Sequence, residues 1–253
     1  MKVLIYGHRG WIGSQFLEIL KTKEDIEVIC GESRVDCDRE VEKEIQTVIP
    51  THVISFIGRT HGVIDGKRYP TIDYLEQSGK LVDNIRDNMY SPLLLSILSQ
   101  KYNFHFSYLG TGCIFEYDDS HPQPLVDDED RQSGKLVSTP VDGFGETDLP
   151  NFHGSSYSIV KGFTDRMVHH LPILNLRIRM PITDSNNPRN FITKITNYQK
   201  ICSLPNSMSV LPTLLPLVFT MMKDRVVGTI NLVNPGVITH NRILTLYREY
   251  VDS

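Results

Sequence analysis

The chain has 253 residues, 40% of them hydrophobic and 22% charged, with a formal net charge of −4. That length can bury one large core, or a core with a small added lobe, and the charge balance leaves no basic excess for a nucleic-acid polymer, so any nucleotide recognised is expected to be a small molecule. No apolar run approaches the roughly 20 residues that cross a bilayer, the opening MKVLIYGHRG is too briefly apolar for a leader, and four dispersed cysteines suit neither a zinc site nor a disulfide scaffold. A cytoplasmic protein with no membrane segment and no metal is expected.

Residues 2–7, KVLIYG, read as a strand that passes straight into a glycine-rich turn and a periodic helical stretch over 11–22. A second strand is predicted over 26–30, an acidic amphipathic helix over 38–48 and a third strand over 52–57. A long helix over 83–101 and a strand over 104–109 continue the series. Residues 116–150, rich in Asp, Pro, Gly and Ser, read as an irregular excursion that covers a ligand site. Helix follows over 157–170 and strand over 173–178. Beyond Met180, prolines at 181, 188, 205, 212, 216 and 235 cut the pattern into short segments before a last helical stretch over 241–251.

The alternation implies parallel βαβ units. The expected architecture is α/β, a Rossmann-type doubly wound parallel sheet with a small C-terminal substrate-binding lobe. Residues 1–178 form the dinucleotide-binding domain with the catalytic residues, and residues 179–253 the substrate lobe, interleaved with it.

Gly7, Gly10 and Gly13 make G-x-x-G-x-x-G between strand and helix. Backbone amides there, with those of Trp11 and Ile12 opening the helix, can meet a pyrophosphate without side-chain obstruction. The second strand runs into Gly31-Glu32-Ser33-Arg34, and the glycine loop carries Arg9. Near a ribose 2′-position a base favours the phosphate and an acid the hydroxyl. NADPH is therefore the expected cofactor, with NADH the alternative if Glu32 or Asp36 takes the hydroxyls. Arg59 and His61, in IGRTHG after the third strand, lie where ligands gather in parallel sheets and are candidates for cofactor and sugar respectively.

Tyr157 and Lys161 stand four apart, on one face of a helix. A phenol with a pKa of about 10 is a poor acid at neutral pH, and a neighbouring cation favours its ionised form. Tyr157 can then give a proton to a ketone oxygen as hydride reaches the carbon. With the glycine triplet, this pair resembles the extended short-chain dehydrogenase/reductase superfamily. Asn88 in DNMYSPLLL looks like the asparagine that supports its active-site helix and is counted on the substrate side, and Thr111 in LGTGC matches its catalytic Ser/Thr. The resemblance also implies that Lys161 touches the cofactor, and it leaves a homodimer open.

The runs Thr111–Asp118 (TGCIFEYD), Arg179–Ile182 (RMPI) and Asn187–Lys194 (NPRNFITK) are similar to the nucleotide-rhamnose synthase/epimerase-reductase family, and the similarity reaches to Pro235-Gly236 and His240-Asn241. It implies an NADPH-dependent 3,5-epimerase/4-reductase that converts UDP-4-keto-6-deoxy-D-glucose, or its dTDP form, to the L-rhamnose nucleotide. Carbons 3 and 5 flank the carbonyl, so one site can exchange their protons through an enolate and then reduce. By the resemblance, Cys113 and Lys194 form the acid–base pair of epimerisation, and Arg189 and Asn190 contact the sugar nucleotide. Gly112-Cys113 stands where a 4,6-dehydratase would carry an acidic pair, so a separate dehydratase is expected to supply the substrate. The alternatives are a 4-reductase without epimerase activity and a nucleotide-sensing protein that has lost turnover.

Overall fold

Val3, Leu4 and Ile5 have no exposed surface, as a strand covered on both faces requires. They belong to β1 (Lys2–Tyr6), which lies between β2 (Glu27–Cys30) and β3 (His52–Ser55) and is parallel to both, with Leu4 opposite Ile29 and Val53. The structure, a computed structural model, describes residues 1–123, 143–202 and 204–251. Helix α1 (Trp11–Lys21) buries Phe16 and Leu20, and α2 (Asp38–Val48) buries Val41 and Ile45, both pairs at helical spacing. A hairpin not foreseen in the sequence follows, β4 (Gly62–Ile64) and β5 (Lys67–Tyr69). It turns on Asp65 and Gly66, whose φ values of 49° and 79° are those of a tight two-residue hairpin turn.

The long helix expected over 83–101 is three pieces: α3 (Leu81–Ile85), a π-helical turn (Arg86–Tyr90) and α4 (Ser91–Tyr102). Strand β6 (His105–Thr111) pairs in parallel with β3, and α5 (Ser156–Val168) and β7 (Leu174–Ile178) come next. Then follow β8 (Pro181–Ile182), α6 (Phe191–Ile195), β9 (Ser209–Val210), α7 (Leu211–Lys223), β10 (Gly228–Asn231) and α8 (His240–Tyr250). The main sheet runs β2-β1-β3-β6-β7-β10. Leu4, Val41, Ile45, Val53, Leu95, Leu98 and Phe106 share one core, each side chain contributing about 1.5–3 kcal/mol through burial.

The chain forms two units. The first comprises 1–115, 146–177 and 215–231, and the second 116–145, 178–214 and 232–253. Residues 215–231, expected in the C-terminal lobe, thus return to the first unit, because β10 extends the main sheet beside β7. The excursion expected over 116–150 contributes to both units, and residues 124–142 lie outside the described ones. Among the described residues no helix is long and apolar enough to cross a membrane.

At the start of β3 and β6, His52 and His105 are buried with ring centroids 5.5 Å apart. Burial, then each other's charge and that of Arg225, pushes His52 from its ordinary 6.5 to about 4. Burial also lowers His105, against a hydrogen bond to the Val226 carbonyl. The unfolded chain protonates both imidazoles as pH falls through about 6.5, whereas the folded chain resists. Stability from the neutral pair is therefore complete above pH 7 and is lost as pH falls toward 4, by about 3 kcal/mol for His52. Urea unfolding between pH 4 and 7 should show this loss, and His52→Gln/His105→Gln should flatten it. An equal pH slope in both chains would exclude the histidines as its source.

Candidate active site

The glycine loop is shaped by contacts that only bare backbone permits. Gly7 has φ +74°, and a Cβ there would lie 2.8 Å from the Phe56 carbonyl carbon. A Cβ on Gly13 would lie 2.3 Å from the Gly7 oxygen, while the Gly10 amide donates to that same oxygen at 3.0 Å. The loop leads from the carboxyl end of β1 into eleven-residue α1, whose first-turn amides, from Trp11 and Ile12 onward, lack acidic neighbours. With β2 and β3 departing on opposite sides of β1, this is the switch point where doubly wound sheets bind ligands. The cradle fits a dinucleotide pyrophosphate.

Beyond β2, Glu44 accepts from the backbone of Glu32 (2.7 Å) and Ser33 (3.3 Å) and from the Tyr6 hydroxyl (2.7 Å), pinning the turn. Arg34 holds both Asp36 oxygens, at 3.0 and 3.1 Å, and Arg86 approaches one of them at 3.3 Å. The Arg34 bond is the main influence keeping Asp36 below the ordinary carboxylate range. The side chain of Arg34 is still 64% exposed, and Arg9 is exposed too.

After β3, the Arg59 guanidinium pairs with Asp87 at 2.7 Å. Asn88 lies on the π turn. It has no exposed surface, and its carboxamide accepts from the Arg59 amide (2.9 Å) and donates to the Arg59 carbonyl (2.9 Å) and Asn84 (2.8 Å). A side chain so committed ties the loop after β3 to the helical segment. His61 is half-buried beside Thr60.

Thr111 ends β6, buried, and its hydroxyl accepts from the Cys113 amide at 3.1 Å. Helix α5 starts at Ser155, whose side chain caps the Ser158 amide at 3.0 Å, and so presents Tyr157 and Lys161 at its first two turns. Both are buried. Lys161 Nζ donates to the Tyr108 hydroxyl and sits 4.6 Å from the centre of that ring. Burial lowers Lys161 to about 8, opposed by electrostatic interaction with Asp165 and, less, with Cys113. Cys113 packs in a cluster with Tyr157, Tyr74 and Leu75. Four of the five expected catalytic residues are thus in the first unit, with Cys113 linked to Thr111, Tyr157 and Lys161.

The fifth, Lys194, is half-buried on α6 in the second unit. Asn190 there is 2% exposed and is the cap of α6: Oδ1 accepts from the Ile192 amide at 3.2 Å, and Nδ2 donates to the carbonyls of Thr183 and Ser185 at 2.9 and 2.8 Å. Its amide thereby fixes the entry into α6. Arg189 is exposed, its backbone amide bound to Asn187. An apolar groove within the second unit, lined among others by Ile192, Met208 and Leu246, includes none of the expected site residues. Among the described residues no three His, Cys, Asp or Glu side chains group as a metal site.

The chain is 38% identical, over 98% of its length, to the bifunctional dTDP-4-dehydrorhamnose 3,5-epimerase/dTDP-4-dehydrorhamnose reductase of Arabidopsis thaliana, and covers 75% of that protein. It belongs to the rhamnose-nucleotide epimerase/reductase family. Within this family, protein L780 of Acanthamoeba polyphaga mimivirus, a UDP-rhamnose synthase of known crystal structure, is 50% identical, with a TM-score of 0.86 over 99% of this chain and 81% of that one. The dTDP-4-dehydrorhamnose reductase of Bacillus anthracis in complex with NADP, 16% identical over 99% of this chain and 81% of that one, shares the fold at a TM-score of 0.74. No protein-family model matches.

What the sequence reading of this epimerase/reductase missed is the support around Lys161: Tyr108, Asp165, Asn175 and Arg177. One signal was available, since Asp165 repeats the four-residue step from Tyr157 to Lys161.

Proposed function

We propose that this chain is an NADPH-dependent 3,5-epimerase/4-reductase acting on UDP-4-keto-6-deoxy-D-glucose, with the dTDP sugar as the alternative nucleotide. The observation that carries this reading is a thiol, Cys113, packed against the buried cluster that contains the phenol Tyr157 and within electrostatic reach of the Lys161 ammonium. A simple ketone reductase needs the phenol and the ammonium. A thiol beside them adds a group able to exchange protons on the carbons that flank the carbonyl.

Tyr157 donates its proton to the sugar O4, and Thr111 shares that oxygen. The same two hydroxyls stabilise the enolate formed when a proton leaves C3 or C5. Cys113 takes or returns that proton, and Lys194 enters as the second acid–base group by family membership. NADPH, when bound, supplies the hydride that reduces C4. Gly7, Gly10 and Gly13 would hold its pyrophosphate, with the amides of Trp11 and Ile12 at the start of α1. Exposed Arg34 and Arg9 favour the 2′-phosphate over a free hydroxyl, and Asp36, held by Arg34 and Arg86, is a poor partner for the hydroxyl. A 4,6-dehydratase must supply the 4-keto sugar, and the cytoplasm, where both small molecules are dissolved, suits the reaction. Leu81, Val82, Phe163 and Met167 leave exposed apolar surface on α3 and α5, which suits a homodimer.

The test is product analysis with UDP-4-keto-6-deoxy-glucose and NADPH in D2O. The unmodified chain should form UDP-L-rhamnose with deuterium at C3 and C5. Cys113→Ala should lose about 10²-fold in that exchange while still reducing sugar supplied already epimerised. NADPH oxidation that yields only unepimerised product would leave a 4-reductase, and no oxidation at all would refute the reading.

A further inference from the structure

The four-residue step from Tyr157 to Lys161 continues to Asp165, which sets the three side chains along one face of α5. Asp165 is 3% exposed and its carboxylate is fully engaged. Arg177 donates from Nε to Oδ2 at 2.9 Å and from Nη2 to Oδ1 at 2.7 Å, and Asn175 donates to Oδ2 at 2.9 Å. Arg177, on β7, is 1% exposed, and its guanidinium also meets the carbonyls of Glu146 and Asp148 at 3.4 and 3.0 Å and lies 5.0 Å from the Phe115 ring centre. A buried ion pair seldom outperforms apolar side chains of equal volume in stability. Its presence beside a buried lysine asks for another role.

The polar and charged groups on α5 and on the elements packed against it are few and mostly paired. From β6 comes the Tyr108 hydroxyl, and from the turn after it Cys113. From α5 itself come Tyr157 and Asp165, and from β7 Arg177, bound to Asp165. The elements around the π turn meet α5 through Asn84, bonded to Ser156, and the Asn88 carbonyl, bonded to Thr164. Charged Asp87 is paired with Arg59 and Arg86, and Arg86 also with Asp83 and Asp36. From the 3₁₀ turn at Ile72–Glu76, Tyr74 packs near Tyr157, and Glu76 accepts from the Ser156 amide at the exposed start of the helix. Asp165 is the first of the groups that oppose the loss of charge burial imposes on Lys161.

We propose that Asp165, clamped by Arg177 and Asn175, is a positioning residue that keeps Lys161 charged for Tyr157. The ion pair then belongs to the proton-donating apparatus as well as to the core. Arg177 fixes the Asp165 oxygens in place, and Asn175 completes the clamp. This rests on the reading of Tyr157 and Lys161 as the acid and its cation.

The test is the titration of Lys161 in the full-length, ligand-free protein, followed by NMR with ¹³Cε-labelled lysine and assigned with Lys161→Met. Asp165→Asn should lower the midpoint by about one pH unit, because a negative charge is removed while Arg177 remains. Asp165→Glu should restore a midpoint close to that of the unmodified chain. Asp165→Asn/Arg177→Gln, which replaces the ion pair by a neutral hydrogen-bonded pair, should fall between the two and keeps the proposal testable if Asp165→Asn alone does not fold. A folded variant without the Asp165 charge whose Lys161 titrates at the original midpoint would overturn it. The measurement needs no substrate: the expected shift in a protein that fails to reduce the keto sugar would refute the function above and leave the role of Asp165 intact.

Discussion

Tyr157→Phe should lower the rate of NADPH-dependent reduction by about 10³-fold with little change in nucleotide affinity or melting temperature. The phenol is buried against Tyr74 and Leu75, so its ring carries the packing and its hydroxyl the chemistry. Phe keeps the first and removes the second. Lys161→Met should be comparably inactive, since the Nζ that donates to Tyr108 is also the cation one helical turn from Tyr157. With Lys161 at about 8, activity of the unmodified chain should decline above that pH as the ammonium is lost. Single-turnover reduction measured from pH 6 to 10 checks all three points. A Tyr157→Phe enzyme within tenfold of the unmodified chain would mean that another group, with Thr111 the nearest in chemistry, donates the proton.

Gly13→Ala should weaken NADP⁺ binding by at least about 100-fold and destabilise the fold by about 1–3 kcal/mol. The added methyl would lie 2.3 Å from the Gly7 oxygen and 2.9 Å from its carbonyl carbon, both backbone atoms, so the loop must open to admit it. Gly66→Ala is the control. Gly66 has φ +79° but nothing within 4 Å of a Cβ, so this change should cost about 1 kcal/mol in the hairpin and leave affinity untouched. Calorimetric titration with NADP⁺, paired with thermal unfolding, separates the two effects. Undiminished affinity in Gly13→Ala would show that the glycine loop is not the pyrophosphate cradle.

The sequence alone carried the glycine loop, the first three strands, α1, α2 and the Tyr157/Lys161 pair, because each depends on neighbours a few residues away. Hydrophobic period and bare backbone are local properties, and the structure reproduces them within a residue or two, with β3 ending at Ser55. Helix α7 was hidden by Pro212 and Pro216, which forbid little when one lies in the first turn and the apolar face of Leu211, Leu214, Leu215, Val218 and Met222 is buried. The π turn that buries Asn88 and the capping role of Asn190 left no mark in the order of residues. Neither did the clamp of Arg177 on Asp165, twelve residues apart and brought together when β7 packs beneath α5. Which polar side chains remain available for chemistry depends on which partners reach them first. That was decided by tertiary structure, since a buried polar group must be satisfied wherever the fold carries it.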